Sequence, residues 1–143
     1  MKTFERPLRA THHCRHYSYE TSLQGRGPLC ALGIDLSGAG SAGPCMPSAT
    51  ARTSLCDKRA DYTDDERATW KTFLDADIER LGRAVQALPK PIPLRTSGKV
   101  ACPNCDGEIH YSRWHRGAEL KCSTENCCGA RFHIEAGKDW PQP

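Results

Sequence analysis

Four cysteines in the last third of the chain are spaced for metal chemistry. Cys102-Pro103-Asn104-Cys105 and Cys122-Ser123-Thr124-Glu125-Asn126-Cys127-Cys128 give a C-x2-C pair, sixteen intervening residues and a C-x4-C pair. A tetrahedral zinc ion takes four thiolates at about 2.3 Å, and two short cysteine turns brought face to face supply them with little chain strain. This is zinc-ribbon spacing. A redox Cys-x-x-Cys is expected beside a βαβ pattern, which is absent, and a disulfide framework does not explain four sulfurs at these intervals. The second pair closes with either Cys127 or Cys128. Cys127 is preferred, because Cys128-Gly129 then forms the exit from the knuckle, with the glycine free to take a positive φ.

A second set of cysteines, Cys14, Cys30, Cys45 and Cys56, is separated by fifteen, fourteen and ten residues. These wide intervals define no site by themselves. The intervening segment, however, is rich in glycine and poor in core-forming side chains, so it needs a cross-link to order it. A second four-thiolate zinc site would supply one. An iron–sulfur cluster would use the same four thiolates, and four free or buried cysteines in a loose segment are the plain alternative. His12 and His13 read as surface residues. His16, two residues beyond Cys14, is placed to face the same ion.

The elements that must position these residues follow from pattern. Between the ribbon pairs, Asp106-Gly107 is a turn signal, Ile109 and Tyr111 alternate with Glu108, His110 and Ser112, and Trp114 to Gly117 is a hairpin tip. Ala118 to Lys121 returns, and Ala130, Phe132 and Ile134 alternate as a third strand. The apolar face, Ile109, Tyr111, Leu120, Phe132 and Ile134, is too small to hold the ribbon without metal. Upstream, Thr63 with Glu66 makes a capping box, and Asp64 and Asp65 suit a helix N-terminus. Trp70, Leu74, Ile78, Leu81, Val85 and Leu88 form one apolar stripe, and the helix ends at Pro89. From Leu74 onward the stripe has heptad spacing, so a homodimer through this helix is an option. In the N-terminal segment only Leu29 to Leu36 is apolar enough for a strand, and residues 1–11 read as a frayed basic arm.

The expected fold is a small α+β metal-stabilised protein. It comprises an irregular N-terminal four-cysteine module (residues 1–62), one long helix (63–88), a semi-rigid Pro-rich linker (89–98), a three-stranded antiparallel zinc ribbon (99–137) and a tail (138–143) that carries no signal. Ten prolines, twelve glycines and a mean hydropathy of -0.63 argue against one continuous core. Nine cysteines without a secretory h-region at the N-terminus fit an intracellular metal-binding protein, expected in the cytoplasm, and no apolar run is long enough to span a membrane. Residues 1–62 carry eight Lys/Arg against five Asp/Glu, and residues 99–143 carry six of each. The neutral ribbon weakens the usual step from zinc ribbon to nucleic acid, because duplex binding shows a clustered basic face.

The order of parts carries a resemblance. Cys14-Arg15-His16-Tyr17, Cys30-Ala31-Leu32-Gly33-Ile34-Asp35, Pro44-Cys45 and Cys56 precede the capping box. They are followed by Cys102-Pro103-Asn104-Cys105-Asp106-Gly107, Tyr111-Ser112-Arg113 and Cys122-Ser123-Thr124-Glu125-Asn126-Cys127. This run resembles uncharacterised small proteins of phages and prophages that end in a ribbon of the form CPxCxG…CSTxxC. The resemblance implies a bacterial host cell and a metal-binding architecture, supports Cys127 as ligand, and departs at Trp114-His115-Arg116-Gly117. It implies no reaction.

No catalytic residues are expected, since a four-sulfur zinc has no open position and no metalloprotease or deaminase pattern is present. The expected contact residues are Arg113, Trp114 and Arg116 at the hairpin tip. An aromatic between two arginines suits a protein-binding hot spot, or stacking on DNA or RNA with Arg6, Arg9, Arg15 and Arg26 as further basic groups. The protein-interaction adaptor is preferred.

Overall fold

The computed structural model describes residues 2–23, 25–49 and 56–141. It divides into two compact units, Leu8–Trp70 and Met1–Pro7 with Lys71–Pro143.

In Leu8–Trp70, strands β1 (Tyr17–Ser22) and β2 (Gly25–Cys30) pair antiparallel, with Tyr17 opposite Cys30. The strand expected at Leu29 to Leu36 is therefore displaced. The chain reverses at Cys30, where Gly33 adopts φ 82 and its N–H returns to the Cys30 carbonyl at 3.0 Å, so the apolar run beyond it cannot stay extended. The hairpin forms instead from Tyr17-Ser18-Tyr19-Glu20-Thr21, whose aromatic and hydroxyl-bearing side chains suit a strand. A 3-10 turn, Gly43–Cys45, follows. The core of this unit is small: Cys14, Leu36 and Cys45 are buried, with Tyr17, Cys30 and Met46 packed against them.

Helix α1 spans Asp64–Ala87. Its start is the capping box expected from Thr63 and Glu66: Glu66 N–H donates to Thr63 Oγ1 at 3.1 Å, and Thr63 N–H donates to Glu66 Oε1 at 2.9 Å. Arg15 also pairs with Glu66 and lies over the Tyr62 ring. The buried stripe differs from the expected one. Ile78 is 67% exposed and Leu74 also faces solvent, whereas Arg80, Ala84 and Leu88 are buried. The helix is rotated so that the small side chain of Ala84 is fully buried in the core, and Arg80 reaches a backbone carbonyl of the second cysteine knuckle. Leu81, Val85 and Leu88 lie in this chain's own core, leaving only Leu74 and Ile78 of the heptad residues exposed.

The C-terminal sheet has four strands, one more than expected. They are β3 (Thr96–Ala101), β4 (Glu108–Trp114), β5 (Gly117–Cys122) and β6 (Gly129–His133), antiparallel in that order. Thr96-Ser97-Gly98, the end of the expected linker, belongs to β3, where Gly98 stands opposite Tyr111. A Cβ at Gly98 would fall 2.7 Å from Tyr111 Cζ, so the missing side chain makes room for the tyrosine ring. Val100, Ile109, Tyr111, Ala118, Leu120, Cys122 and Phe132 share the inner face, while Lys99, His110, Lys121 and Arg131 lie outward.

Two segments expected to lie free are part of this core. Ile92 is buried, and its N–H donates to the carbonyl of Trp140 at 3.0 Å. Trp140 is itself buried, with its ring 5.3 Å from that of Phe132. Gln142 and Pro143, the end of the expected tail, lie outside the described residues. The N-terminal arm is anchored as well, for Phe4 packs on the core and under the Arg80 guanidinium, 4.6 Å from its ring centroid.

Hydrogen bonds from Thr63, together with Arg15, hold the Glu66 carboxyl below its ordinary value of 4.5. A depressed carboxylate stabilises the fold above its unfolded pKa, and that contribution is lost as pH falls through the folded value. The stability gap between the native chain and Glu66→Gln is expected to be widest near neutrality and to narrow below about pH 4.5. Thermal unfolding from pH 7 to 3 checks this, and a gap that does not vary with pH counts against it.

Candidate metal centre

Each ribbon cysteine sits at a bend where the chain leaves or enters a strand. Cys102 follows β3, and its N–H donates to the Gly107 carbonyl at 2.9 Å, closing the first knuckle ahead of β4. Cys122 ends β5, and its N–H donates to the Cys128 carbonyl at 2.9 Å. The knuckles are tied together by Ser123, whose N–H donates to the Glu108 carbonyl at 2.8 Å and whose Oγ accepts the Glu108 N–H at 3.0 Å.

The sulfurs of Cys102, Cys105, Cys122 and Cys127 all lie within 4.8 Å of one another. Cys102 and Cys127 are 3.7 Å apart and Cys105 and Cys122 3.4 Å. Four sulfurs at about 2.3 Å from a tetrahedral metal stand about 3.8 Å from each other. Backbone N–H groups two residues on aim at three of them: Asn104 at Cys102 Sγ (3.4 Å), Gly107 at Cys105 Sγ (3.3 Å) and Thr124 at Cys122 Sγ (3.4 Å). The Thr124 hydroxyl lies 3.2 Å from Cys105 Sγ. Such donors favour thiolate over thiol, and the set fits zinc.

Electrostatics divide the four. Burial opposes ionisation of Cys105, but the Thr124 hydroxyl and the Gly107 N–H outweigh it and hold the thiol down at about 7. Burial pushes the Cys122 and Cys127 thiols up, and the neighbouring sulfurs of Cys102 and Cys128 add to the rise at Cys127. A bound dication reverses this balance, because its charge stabilises every thiolate around it.

Cys128 stands outside the quartet, its sulfur 4.0 Å from that of Cys127. It is 7% exposed and belongs to the apolar core, where burial raises its thiol to about 11. The positive φ expected at Gly129 occurs instead at Asn126, with φ 58. Asparagine tolerates this conformation, and the turn is made before Cys127 rather than after Cys128. Gly129 starts β6 with ordinary φ.

Sequence reasoning missed the clamp between α1 and the knuckles. Arg80 Nε donates to the Cys127 carbonyl at 2.7 Å, Asn104 Nδ2 donates to the Arg80 carbonyl at 2.9 Å, and Arg83 Nε donates to Asn104 Oδ1 at 2.8 Å. Asn104 and Arg80 are both buried. A polar residue between two ligand cysteines was the available signal, but its partners lie more than twenty residues away.

At the hairpin tip, Arg113 corrects the expectation of an exposed contact residue. It is 5% exposed, and its guanidinium donates to the carbonyls of Trp114, Gly117 (3.1 Å) and Lys138 (3.2 Å). Arg113 lies on the inner face of β4, where its buried guanidinium is satisfied by these carbonyls. Trp114 is 42% exposed, and Arg116 is exposed beside it. Cys14, Cys30, Cys45 and Cys56 line one cleft. Among the described residues, no three of their sulfurs lie within 4.8 Å of one another. Burial raises the Cys45 thiol, with smaller upward contributions from Cys14, Cys30 and Cys56. His16 lines the same cleft, and His13 stacks on Tyr17.

No protein-family model, curated protein or solved structure matches the chain. No helix among the described residues is long and apolar enough to cross a membrane.

Cys105→Ser is expected to remove one metal equivalent and unfold the ribbon, whereas Cys128→Ser keeps the metal and costs about 1–2 kcal/mol through a buried hydroxyl. Metal analysis with thermal unfolding of each variant checks both, and loss of metal from Cys128→Ser contradicts the ligand assignment. Asn104→Ala, which removes the bonds from the first knuckle to the Arg80 carbonyl and to Arg83, is expected to cost about 1–2 kcal/mol at unchanged metal content. Denaturant unfolding measures it, and a cost under about 0.5 kcal/mol would show that the clamp is dispensable.

Proposed function

We propose that this chain is a non-catalytic, phage-type zinc-binding protein, working in the cytoplasm of a bacterial host as a protein-interaction adaptor. Zinc in the Cys102, Cys105, Cys122 and Cys127 site is structural, because four sulfurs fill a tetrahedral metal and leave no position for substrate or activated water. The observation that carries the reading is the hairpin tip. Trp114 is 42% exposed on a turn fixed from inside by Arg113, with Arg116 exposed beside it. A large aromatic on a rigid support is a protein-binding anchor.

The nucleic-acid alternative loses one of its two tip cations with Arg113. The outward sheet face adds little, for Lys99 faces Glu108 at 3.8 Å and Arg131 binds Glu119 at 2.8 Å. Such pairs offset the positive charge that phosphates require. Pairing of two copies through α1 would rest on Leu74 and Ile78 alone, short of a heptad seam.

The test places a photo-cross-linking residue at position 116 in the full chain, identifies the cross-linked protein in host cells, and measures its affinity with purified components. Trp114→Ala is expected to weaken that complex at least about tenfold, as a central aromatic anchor does. Binding to single-stranded and duplex DNA and RNA is measured alongside at two salt concentrations. Submicromolar affinity near 150 mM salt that falls steeply with added salt, and falls again with Trp114→Ala and Arg116→Ala, would decide for nucleic acid and against the adaptor.

A further inference from the structure

The four N-terminal cysteines are far apart in sequence, yet backbone hydrogen bonds draw their segments onto one tripeptide, Cys14-Arg15-His16. The Cys14 N–H donates to the carbonyl of Cys45 at 2.9 Å. The Arg15 N–H donates to the carbonyl of Ala60, just beyond Cys56, at 2.7 Å, and the His16 carbonyl accepts from Ala31, next to Cys30, at 2.8 Å. Arg59 fastens the remaining gap: its N–H closes a turn on the Cys56 carbonyl at 3.0 Å, and its guanidinium donates to the carbonyls of Pro44 (2.6 Å) and Met46 (3.0 Å), on either side of Cys45. The Cys14 tripeptide is thus bonded to the segment of each of the other three cysteines.

The result is one partly enclosed cleft of about 220 Å³, walled by Leu32, Ile34 and Leu36 and lined by all four cysteines. Half of the side chains that form the core of Leu8–Trp70 are cysteines: Cys14 and Cys45 are buried and Cys30 is packed against them. All four are free thiols, so no disulfide closes the unit. Among the described residues, a core cluster with three buried side chains is small against the entropy of ordering a unit of this size. A metal cross-link at the place where the segments meet adds to it.

We propose that Cys14, Cys30, Cys45 and Cys56 bind a second zinc ion as four thiolates. The site is separate from the ribbon centre and rests on none of its residues. Each thiol releases its proton as its sulfur donates a lone pair to the ion, and no electron is transferred. A tetrahedral zinc ion holds four sulfurs about 3.8 Å from one another. Arg59 beside Cys45 and Lys58 at the cleft wall supply positive charge against the net negative tetrathiolate site.

The experiment counts metal on the purified full chain and its variants by elemental analysis and native mass spectrometry. The native chain is expected to carry two zinc ions, Cys105→Ser one, Cys45→Ser one, and the double variant none. One zinc in the native chain that disappears with Cys105→Ser overturns the proposal and leaves the ribbon reading intact. Two in the native chain with both retained in Cys45→Ser overturns the ligand set, as does loss of one with His16→Ala. Iron with acid-labile sulfide overturns the identity of the metal. Because Cys45→Ser risks misfolding, a second measurement uses the unaltered chain: N-ethylmaleimide labelling of the half-exposed Cys30 and Cys56, before and after chelation. Their labelling is expected to accelerate at least tenfold once zinc is stripped, and equal rates sink the site.

Discussion

Four sulfurs held within 4.8 Å of one another set the terms for the C-terminal unit. Brought together as thiolates they repel, and brought together as thiols they are poor partners for the N–H groups aimed at them. A divalent cation resolves both difficulties at once. The local backbone is arranged for that outcome: the N–H groups of Asn104, Gly107 and Thr124 point at sulfur. The core agrees with it too, since Cys102, Cys122 and Cys127 are buried beside Ile109 and Leu120 and would cost free energy as uncompensated charges.

A tetrathiolate zinc carries two net negative charges, and a low-dielectric surrounding makes that charge expensive unless positive groups lie close. Arg80 and Arg83 occupy that position, bonded to a carbonyl of one knuckle and a side chain of the other. Arg80 is desolvated, but Phe4 and Phe73 face its guanidinium from 4.6 and 5.6 Å, an arrangement that replaces lost hydration with aromatic quadrupoles. The helix would thus act as an outer shell to a metal held there, its bonds orienting the cysteine turns much as second-shell hydrogen bonds orient metal ligands elsewhere.

The parts legible in sequence were those whose determinants are local. The capping box at Thr63 and Glu66, the ribbon cysteines and the alternation through Ile109 and Tyr111 each depend on residues a few positions apart. What was not legible depended on distant partners. Leu74 and Ile78 fit the periodicity of a buried stripe, yet Arg80 and Ala84 lie inward because the knuckles offer carbonyls for an arginine and a close surface for an alanine. Trp140 gave no pattern of its own, and its burial follows from Phe132, eight residues before it, and Ile92, far away in the chain. Arg113 read as an exposed cation from its place beside Trp114 at the hairpin tip, while its place on the inner face of β4 followed from register.

The hairpin tip joins a missing side chain above to an arginine below. Gly117 has no side chain, and a Cβ there would fall 2.5 Å from Trp114 Nε1, so the indole lies across the space it leaves. Arg113, from beneath, fixes the carbonyls on either side of the turn. The indole thus packs over Gly117, and Arg113 ties the turn from the other face. An aromatic restrained in this way loses little conformational entropy on docking. Its recognition favours shape over adaptability: a partner groove must match one orientation of one ring, and a bulkier residue at position 117 would change which grooves fit without touching the contact residues themselves.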